Sequence, residues 1–218
     1  FQKRALIFQT IRDYLREEGF LEVETPILQS VYGGANATPF VTHHKALDQN
    51  FYLRISNELY LKRLIAGGFD AVFEFVKDFR NEGIDRTHNP EFSALEFYQA
   101  YVDYNEIMRH TENICECCAL AVNSSTEFQY DGQTIDVKVP WPRLSMLEAI
   151  KRLGGISFAK MSDAEVQILL KENGWELNGD YNRGLATQLV FEETCETQLI
   201  QPTFITDHPK ETSPLCKQ

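Results

Sequence analysis

Apolar residues recur at helical spacing in the first part of the chain. Ile7, Ile11 and Leu15 fall on one face of a segment covering residues 3–18, and Gly19 follows it. Because glycine readily adopts the left-handed conformation that ends helices, the pattern predicts an amphipathic helix that stops near Gly19. The alternating stretch 20–25 comes next and predicts a strand.

The clearest period-two alternation lies in two neighbouring segments, 71–80 and 91–98. Between them, residues 81–90 are polar and rich in turn-forming types. Two strands joined by such a segment predict an antiparallel hairpin with a long tip loop. Loops of this length within a compact domain are usually functional.

The two faces of the predicted hairpin differ in chemistry. Leu95 and Phe97 share one face, which is suited to a core. The opposite face carries Phe92, Glu96 and Tyr98, and the preceding strand adds Arg80. An aromatic ring, a carboxylate, a phenol and a guanidinium on one surface indicate either a binding site or a solvated face with a cross-strand ion pair.

The remaining segments predict further short elements. Helices are expected over 56–65, 103–122 and 182–194 and after the capping-box serines Ser145 and Ser162, and strands over 51–55, 127–130, 134–139 and 202–206. Strands and helices occur without regular strand–helix–strand alternation, so the fold class is predicted as α+β, with an antiparallel sheet flanked by helices. Neither a Gly-x-Gly-x-x-Gly nor a P-loop nucleotide motif is present.

Composition narrows the class of protein. Apolar residues make up 43% of the 218 residues, which is ample for a core, and no apolar run is long enough for a membrane span. The net charge of −11 argues against a nucleic-acid surface on this part of the molecule. The five cysteines, including Cys216, form a poor disulfide framework and favour a reducing, cytoplasmic setting. Cys115 and Cys118 are expected to be inert core residues.

Several motifs together resemble one enzyme family. Residues 79–82 (FRNE), 88–92 (HNPEF) and 96–98 (EFY) resemble motif 2 of the class II aminoacyl-tRNA synthetases, and 20–26 (FLEVETP) resembles motif 1. Segments resembling the lysyl-tRNA synthetases in particular are 42–48, 52–55, 58–64 and 200–206. The resemblance covers nearly the whole chain, residues 1–218, as a partial catalytic domain.

The resemblance implies an organisation for the chain. It implies a homodimer interface through residues 1–26, a motif 2 hairpin at 71–98 and a helical insertion at 140–195. It also implies an ATP-dependent activation of lysine to lysyl-adenylate, followed by transfer to tRNA(Lys). The tRNA is expected to bind mainly through regions outside this chain, and no membrane partner is expected.

The resemblance also implies roles for individual residues. Arg80 is expected to be catalytic, contacting both the α-phosphate of ATP and the lysine carboxylate. Further ATP contacts are expected from Glu82, His88, Asn89 and Phe92. Further lysine contacts are expected from Gly34, Glu58, Glu96 and Tyr98. Arginine suits two anionic partners because its planar fork grips phosphate and carboxylate oxygens bidentately.

The chain departs from the family pattern in several places. Motif 3 and the N-terminal anticodon-binding OB domain are expected outside residues 1–218. The Mg²⁺ ligands are expected outside as well, so no metal site is predicted within this chain. The pair His43-His44 was considered as a metal site and lacks a carboxylate or cysteine at ligand spacing. Thr38 stands where the family has a basic residue, and Asn57 where it has proline.

Three alternatives remain open from the sequence. A tRNA-independent lysylase that modifies a translation factor shares this core and lacks the anticodon domain. A non-catalytic paralogue that binds lysine or ATP is disfavoured by the intact charged residues of the predicted site. An aspartyl or asparaginyl enzyme is disfavoured because its substrate needs a cationic pocket, and Glu96 is acidic.

Overall fold

The structure is a computed structural model that describes residues 1–213. Cys216, one of the five cysteines, lies outside the described residues. The chain divides into two compact units, Phe1–Ile107 and Met108–Gln218. Every residue predicted to contact ATP or lysine belongs to the first unit.

The first unit contains two helices and the longest strands. Its elements are α1 (Gln2–Glu17), β1 (Leu21–Glu22), β2 (Leu28–Gln29), β3 (Val41–His44), β4 (Gln49–Leu53), α2 (Glu58–Ala66), β5 (Ala71–Phe79) and β6 (Glu91–Gln99). The predicted first helix is confirmed, and Gly19 follows it with φ +87°. The predicted strand at 20–25 is shorter, because only Leu21–Glu22 pairs in a ladder.

Two sheets form in this unit. β1 pairs parallel with β5, and β5 pairs antiparallel with β6, whereas β2, β4 and β3 form a separate antiparallel sheet in that order. β2 and β3 were not predicted. Residues 41–44 are mostly exposed and do not alternate between apolar and polar types, so nothing local marks them as a strand.

One face of the β5–β6 hairpin packs against α1. The Phe8 ring stacks on Phe75 with 4.6 Å between centroids, and an Arg4 Nη atom donates to Ser93 Oγ at 2.9 Å. The Phe20 ring meets Phe97 edge-on at 5.8 Å. The Phe97 face is therefore packed as predicted, but Phe97 is only half-buried, and the opposite face of β5 is also buried at Glu74, Val76 and Asp78. Buried apolar residues of the unit are Leu15, Phe20, Ile55, Leu61, Ala71, Val72, Phe73 and Val76.

The second unit contains the remaining elements. Most of α3 (Tyr104–Asn123) belongs to it, followed by β7 (Glu127–Tyr130), β8 (Gln133–Asp136), β9 (Arg143–Ser145), α4 (Met146–Arg152), α5 (Asp163–Asn173), α6 (Arg183–Thr194) and β10 (Phe204–Thr206). The strands predicted at 127–130 and 134–139 form a hairpin, in which Asp131 and Gly132 both have positive φ, as a type I′ turn requires. β9 was not predicted; it pairs parallel with β10.

The cysteine prediction is only partly right. The buried apolar positions of α3 are Met108, Ile114 and Ala119, whereas Cys115 and Cys118 are half-buried. The most buried face of α3 is therefore offset by about one residue from the predicted buried face. Burial still raises the pKa of the Cys118 thiol to about 11, so this cysteine stays protonated and unreactive near neutral pH.

The α+β fold class is confirmed. Antiparallel pairs dominate, and the two short parallel pairs, β1–β5 and β9–β10, add to the predicted arrangement. Among the described residues, no helix combines the length and the apolar character needed to cross a membrane.

Candidate active site

The register of β5 and β6 determines which side chains share a face. Asp78 lies directly opposite Phe92, and Glu74 lies directly opposite Glu96. Opposed residues project to the same side of a sheet, and alternate residues along a strand share that side. Phe92, Glu96 and Tyr98 therefore lie on one face, as the sequence predicted.

Arg80 joins this face just beyond the end of β5. Its backbone N–H donates to the carbonyl of Pro90 at 2.9 Å, which continues the ladder past Phe79. Its guanidinium carbon lies 5.2 Å from the centroid of the Phe92 ring, a cation–π distance. The Nε atom reaches the Ile55 carbonyl only at 3.5 Å. Arg80 is thus oriented mainly by Phe92 and keeps most of its donors for other partners.

Glu96 and Tyr98 form the second half of the face. The Tyr98 hydroxyl donates to a Glu96 carboxylate oxygen at 3.2 Å. Burial raises the pKa of Glu96, the Tyr98 bond lowers it, and the carboxylates of Asp78, Glu58 and Glu74 raise it again. The net pKa is above the ordinary value. A half-buried carboxylate with acidic neighbours is a setting that a cation would stabilise.

Glu58 approaches the same place from the start of α2. Its negative charge raises the pKa of both Glu96 and Tyr98. Lys62 Nζ, one helical turn later, lies 2.8 Å from Glu58 Oε1. Both residues of this ion pair keep solvent contact, so it contributes little to stability and leaves the carboxylate available.

Gly34 lies against the residues that begin α2. Its φ is +89°, and a Cβ placed on it would come within 3.0 Å of Ser56 Oγ and 3.2 Å of Glu58 Cβ. Only glycine meets both conditions without strain. The structure therefore brings the backbone of Gly34 next to Glu58, the two groups predicted to share the substrate α-amino group.

The tip loop between β5 and β6 is tied to residue 38. Glu82 Oε1 accepts from the Thr38 backbone N–H at 3.1 Å, and the Asn81 N–H donates to the Thr38 carbonyl at 2.7 Å. The contact at position 38 is made through the backbone, so it does not depend on the basic residue that the family pattern has there. Glu82 is exposed and accessible from solvent.

His88 and Asn89 lie further along the same loop. Asp85 accepts from the backbone N–H groups of Thr87 and His88, and one of its carboxylate oxygens lies 2.8 Å from His88 Nδ1. These bonds, led by that from the Thr87 N–H, lower the pKa of Asp85 to about 2. The His88 ring is exposed, and the Asn89 amide donates to the Glu91 carbonyl.

A buried ionic layer lies beneath the site, and the sequence analysis did not predict it. Arg54 and Glu74 are each 3% exposed at the side chain, and Arg54 Nη1 donates to Glu74 Oε1 at 3.0 Å. Glu74 also accepts from the Thr25 N–H, the Thr25 hydroxyl and the Asn57 amide. The sequence did carry a signal, because charges at 74, 77 and 78 interrupt an otherwise apolar strand.

Asp78 is the less satisfied acid of this layer. Its Oδ1 lies 3.3 Å from Arg54 Nε, yet that N–H points to the Lys77 carbonyl at 2.9 Å. Oδ1 is consequently buried without a hydrogen-bond partner in the described part of the chain. Burial raises the pKa of Asp78, Arg54 and Arg80 lower it, and the net direction is upward.

A separate recess of about 840 Å³ does not include any of the predicted site residues. It is lined by α1 and by residues such as Phe75, Lys77 and Ser93, which alternate with the site positions along the strands. Arg80, Phe92 and Glu96 are each half-buried. His43, considered earlier for metal binding, lies 3.4 Å from Asp48, a carboxylate that its sequence spacing did not suggest.

The sequence is similar to those of known proteins. It matches the family described as tRNA synthetases class II (D, K and N) over residues 1–218. It is 51% identical over 218 residues to a lysine–tRNA ligase of Porphyromonas gingivalis and 53% identical to one of Christiangramia forsetii. It is 50% identical over 222 aligned residues to a lysine–tRNA ligase of Clostridium novyi.

The alignments cover all of this chain but less than half of each relative. The whole of this chain is aligned in each case, but it spans only 38% of the first two relatives and 44% of the third. The matches therefore concern one part of a longer type of protein.

Proposed function

The chain belongs to the class II tRNA synthetases (D, K and N), and from this premise we propose that it acts as part of a lysine–tRNA ligase. Such an enzyme activates lysine with ATP and transfers it to tRNA(Lys). The names of relatives at 50–53% identity support this choice within the family. The observation that carries this proposal is the cluster formed by the carboxylates of Glu96 and Glu58 and the hydroxyl of Tyr98, beside Arg80 and Phe92.

The acidic half of the site suits the lysine side chain. Glu96 and Tyr98 would receive the ε-ammonium, and Glu58 with the backbone of Gly34 would receive the α-ammonium. An unpaired ammonium is costly to bury, so carboxylates at a fixed depth select a cation. A site built around that ion would reject neutral analogues strongly, and ornithine less so, since one methylene is worth about 1–3 kcal/mol.

The other half suits ATP. Phe92 offers an aromatic surface for adenine, and Arg80 beside it would reach the α-phosphate. Glu82, His88 and Asn89 in the tip loop would make further contacts with the nucleotide. His88 is oriented for this role by Asp85, which holds its Nδ1 and leaves Nε2 directed away from that pair.

The reaction needs positioning and charge neutralisation more than a protein nucleophile. A lysine carboxylate oxygen attacks the α-phosphorus, the bond to the bridging oxygen breaks, and pyrophosphate leaves. Two anions must be held together while negative charge builds up. Arg80 stays charged at all relevant pH and would bind both the carboxylate and the phosphate in that geometry.

Mg²⁺ is proposed as a companion of ATP in this reaction. Mg²⁺ is usually held by one or two carboxylates together with substrate phosphates. In the tip loop, Asp85 is engaged by Thr87 and His88, and Glu82 by Thr38. Mg²⁺ is therefore assigned to ATP as a requirement of the proposed reaction.

We also propose the partners and setting of the whole protein. A homodimer would form through residues 1–26, where Leu6 and Leu21 are exposed and where Phe1 and Phe8 line part of the 840 Å³ recess. The net charge of −11 supports the proposal that most tRNA contacts lie elsewhere in the protein. A cytoplasmic location agrees with the free cysteines of the described chain. Light scattering of the full-length protein and of its Leu21→Glu variant tests the dimer.

Lysine-dependent exchange between ATP and pyrophosphate tests the function directly. The full-length protein should catalyse this exchange with lysine and not with aspartate or asparagine. Lysine binding without exchange would support the non-catalytic paralogue. Exchange without transfer to tRNA(Lys), combined with lysylation of a translation factor, would support the lysylase.

A further inference from the structure

Asn57 immediately precedes Glu58 and has an unusual place for a helix-capping residue. It is fully buried, at 0% exposure, and occupies the N-cap position of α2. An N-cap asparagine normally accepts a hydrogen bond from the first turn of its own helix. Asn57 makes no such bond, and Ser56 Oγ accepts from the Glu58 N–H at 3.1 Å instead.

The Asn57 side chain is directed to a different element. Its Nδ2 donates to Glu74 Oε2 in β5 at 2.8 Å. Glu74 is held in turn by Thr25 and Arg54, at distances of 2.8 to 3.0 Å. The start of α2 is therefore attached to a fixed point in the middle of the hairpin.

That fixed point is next to the predicted lysine pocket. Glu74 lies directly opposite Glu96 in the β5–β6 register, so the bond from Asn57 relates the start of α2 to the strand that carries Glu96. Glu58 is the first residue of α2, and its charge acts on both Glu96 and Tyr98. A small shift of this helix end would move Glu58 relative to both.

From these contacts we propose that Asn57 is a positioning residue for the amino-acid pocket, acting through Glu74 to set the place of Glu58. The inference rests on the proposed function and deepens it. Asn57 itself does not touch substrate.

The chemistry of the side chain supports this role. An ionised carboxylate only accepts hydrogen bonds, so the partner of Glu74 must be a donor. The amide meets this need, but its Oδ1 remains buried without a partner in the described residues. A buried acceptor without a partner lowers stability. The residue is therefore a poor choice for stability alone, and the bond to Glu74 accounts for its presence.

The test uses the full-length protein and lysine-dependent ATP–pyrophosphate exchange. Asn57→Ala should raise the KM for lysine about tenfold and change the KM for ATP less than about twofold. In a protein already carrying Glu58→Gln, Asn57→Ala should add little, because the group it positions has been altered. If Asn57→Ala does not fold, Asn57→Ser keeps a polar group in the buried space on a side chain too short to reach Glu74, and the same split is expected.

Leu61→Ala is the matched control, because Leu61 is fully buried in the same helix and offers no polar contact. It should lower Tm without separating the two KM values. A full tenfold effect of Asn57→Ala in the Glu58→Gln background would overturn the proposal. So would an equal rise of both KM values, or the same split in Leu61→Ala. Absence of lysine-dependent exchange in the parent protein would instead overturn the proposed function itself.

Discussion

Glu96 is the residue on which the choice of a cationic amino acid depends most. Its carboxylate is half-buried and bonded to Tyr98, with the charges of Asp78, Glu58 and Glu74 nearby. Ordinary packing would not gather acidic groups in this way, because like charges raise one another's pKa. The arrangement becomes favourable when an ammonium ion enters.

Replacement of Glu96 by glutamine should weaken lysine binding and spare ATP. A hydrogen bond to a charged group contributes about 1.5–3 kcal/mol, so the KM for lysine should rise about 10- to 100-fold. Steady-state exchange kinetics with each substrate varied in turn would measure this. Glu91→Gln is the control, since Glu91 lies in the same strand and is exposed. Equal losses for lysine and ATP would show that the pocket lies elsewhere.

The raised pKa of Glu96 also predicts a pH dependence. The ammonium of lysine pairs with the ionised carboxylate, and a proton competes with it for that site. As the pH falls through the raised pKa, which lies above the ordinary glutamate value of about 4.3, the KM for lysine should rise. The Glu96→Gln variant should lose this acidic limb. An unchanged limb in that variant would assign the titration to another group.

Helix caps and tight turns could be predicted from the sequence far better than the short strands β2, β3 and β9 could. The capping box of Ser162 and Glu165 and the turn at Asp131-Gly132 formed as predicted, because each depends on residues a few positions apart. The strands β2, β3 and β9 are two to four residues long, and their pairing depends on distant partners. Short-range periodicity carries no information about such partners.

Ser162 provides a test of this local stabilisation. Its hydroxyl accepts from the Glu165 N–H while the Glu165 carboxylate accepts from the Ser162 N–H, so Ser162→Ala should lower the free energy of unfolding by about 1 kcal/mol. Urea denaturation would measure the change. Ser157→Ala is a close control, because Ser157 precedes the short helix Phe158–Lys160 without a side-chain cap bond. Equal effects in the two variants would remove the capping explanation.

At the scale of the whole molecule, the sequence predicted which side chains share the site face. It did not predict how deeply the acidic residues of that face are buried. Alternation placed Phe92, Glu96 and Tyr98 on one face from the sequence alone, and the register of the structure adds Glu74 and Asp78 to that face. The burial of Glu74 and Asp78 under that face could not be predicted, because Arg54 and Asn57 reach them from segments about 20 residues away. Long-range packing determines that burial, and periodicity within a strand does not report it.

The two acids of the buried layer should respond in opposite ways to neutralisation. Glu74 accepts several hydrogen bonds, so Glu74→Gln should lower the free energy of unfolding by roughly 2–3 kcal/mol. Asp78 has a buried oxygen without a partner and a raised pKa, and Arg54 keeps Glu74 as its counterion. Asp78→Asn should therefore raise the free energy of unfolding at pH 7, on the order of 1 kcal/mol.

The pH dependence of the Asp78→Asn effect gives its cause. Because the folded pKa of Asp78 is raised, ionisation opposes folding as the pH rises above the unfolded value of about 3.9, and the opposition is complete above the folded pKa. The gain from asparagine should thus be present at neutral pH and disappear below that unfolded value, where both states are protonated. Urea denaturation across this range would measure it. A gain that persists at acidic pH would mean that packing, and not buried charge, is responsible.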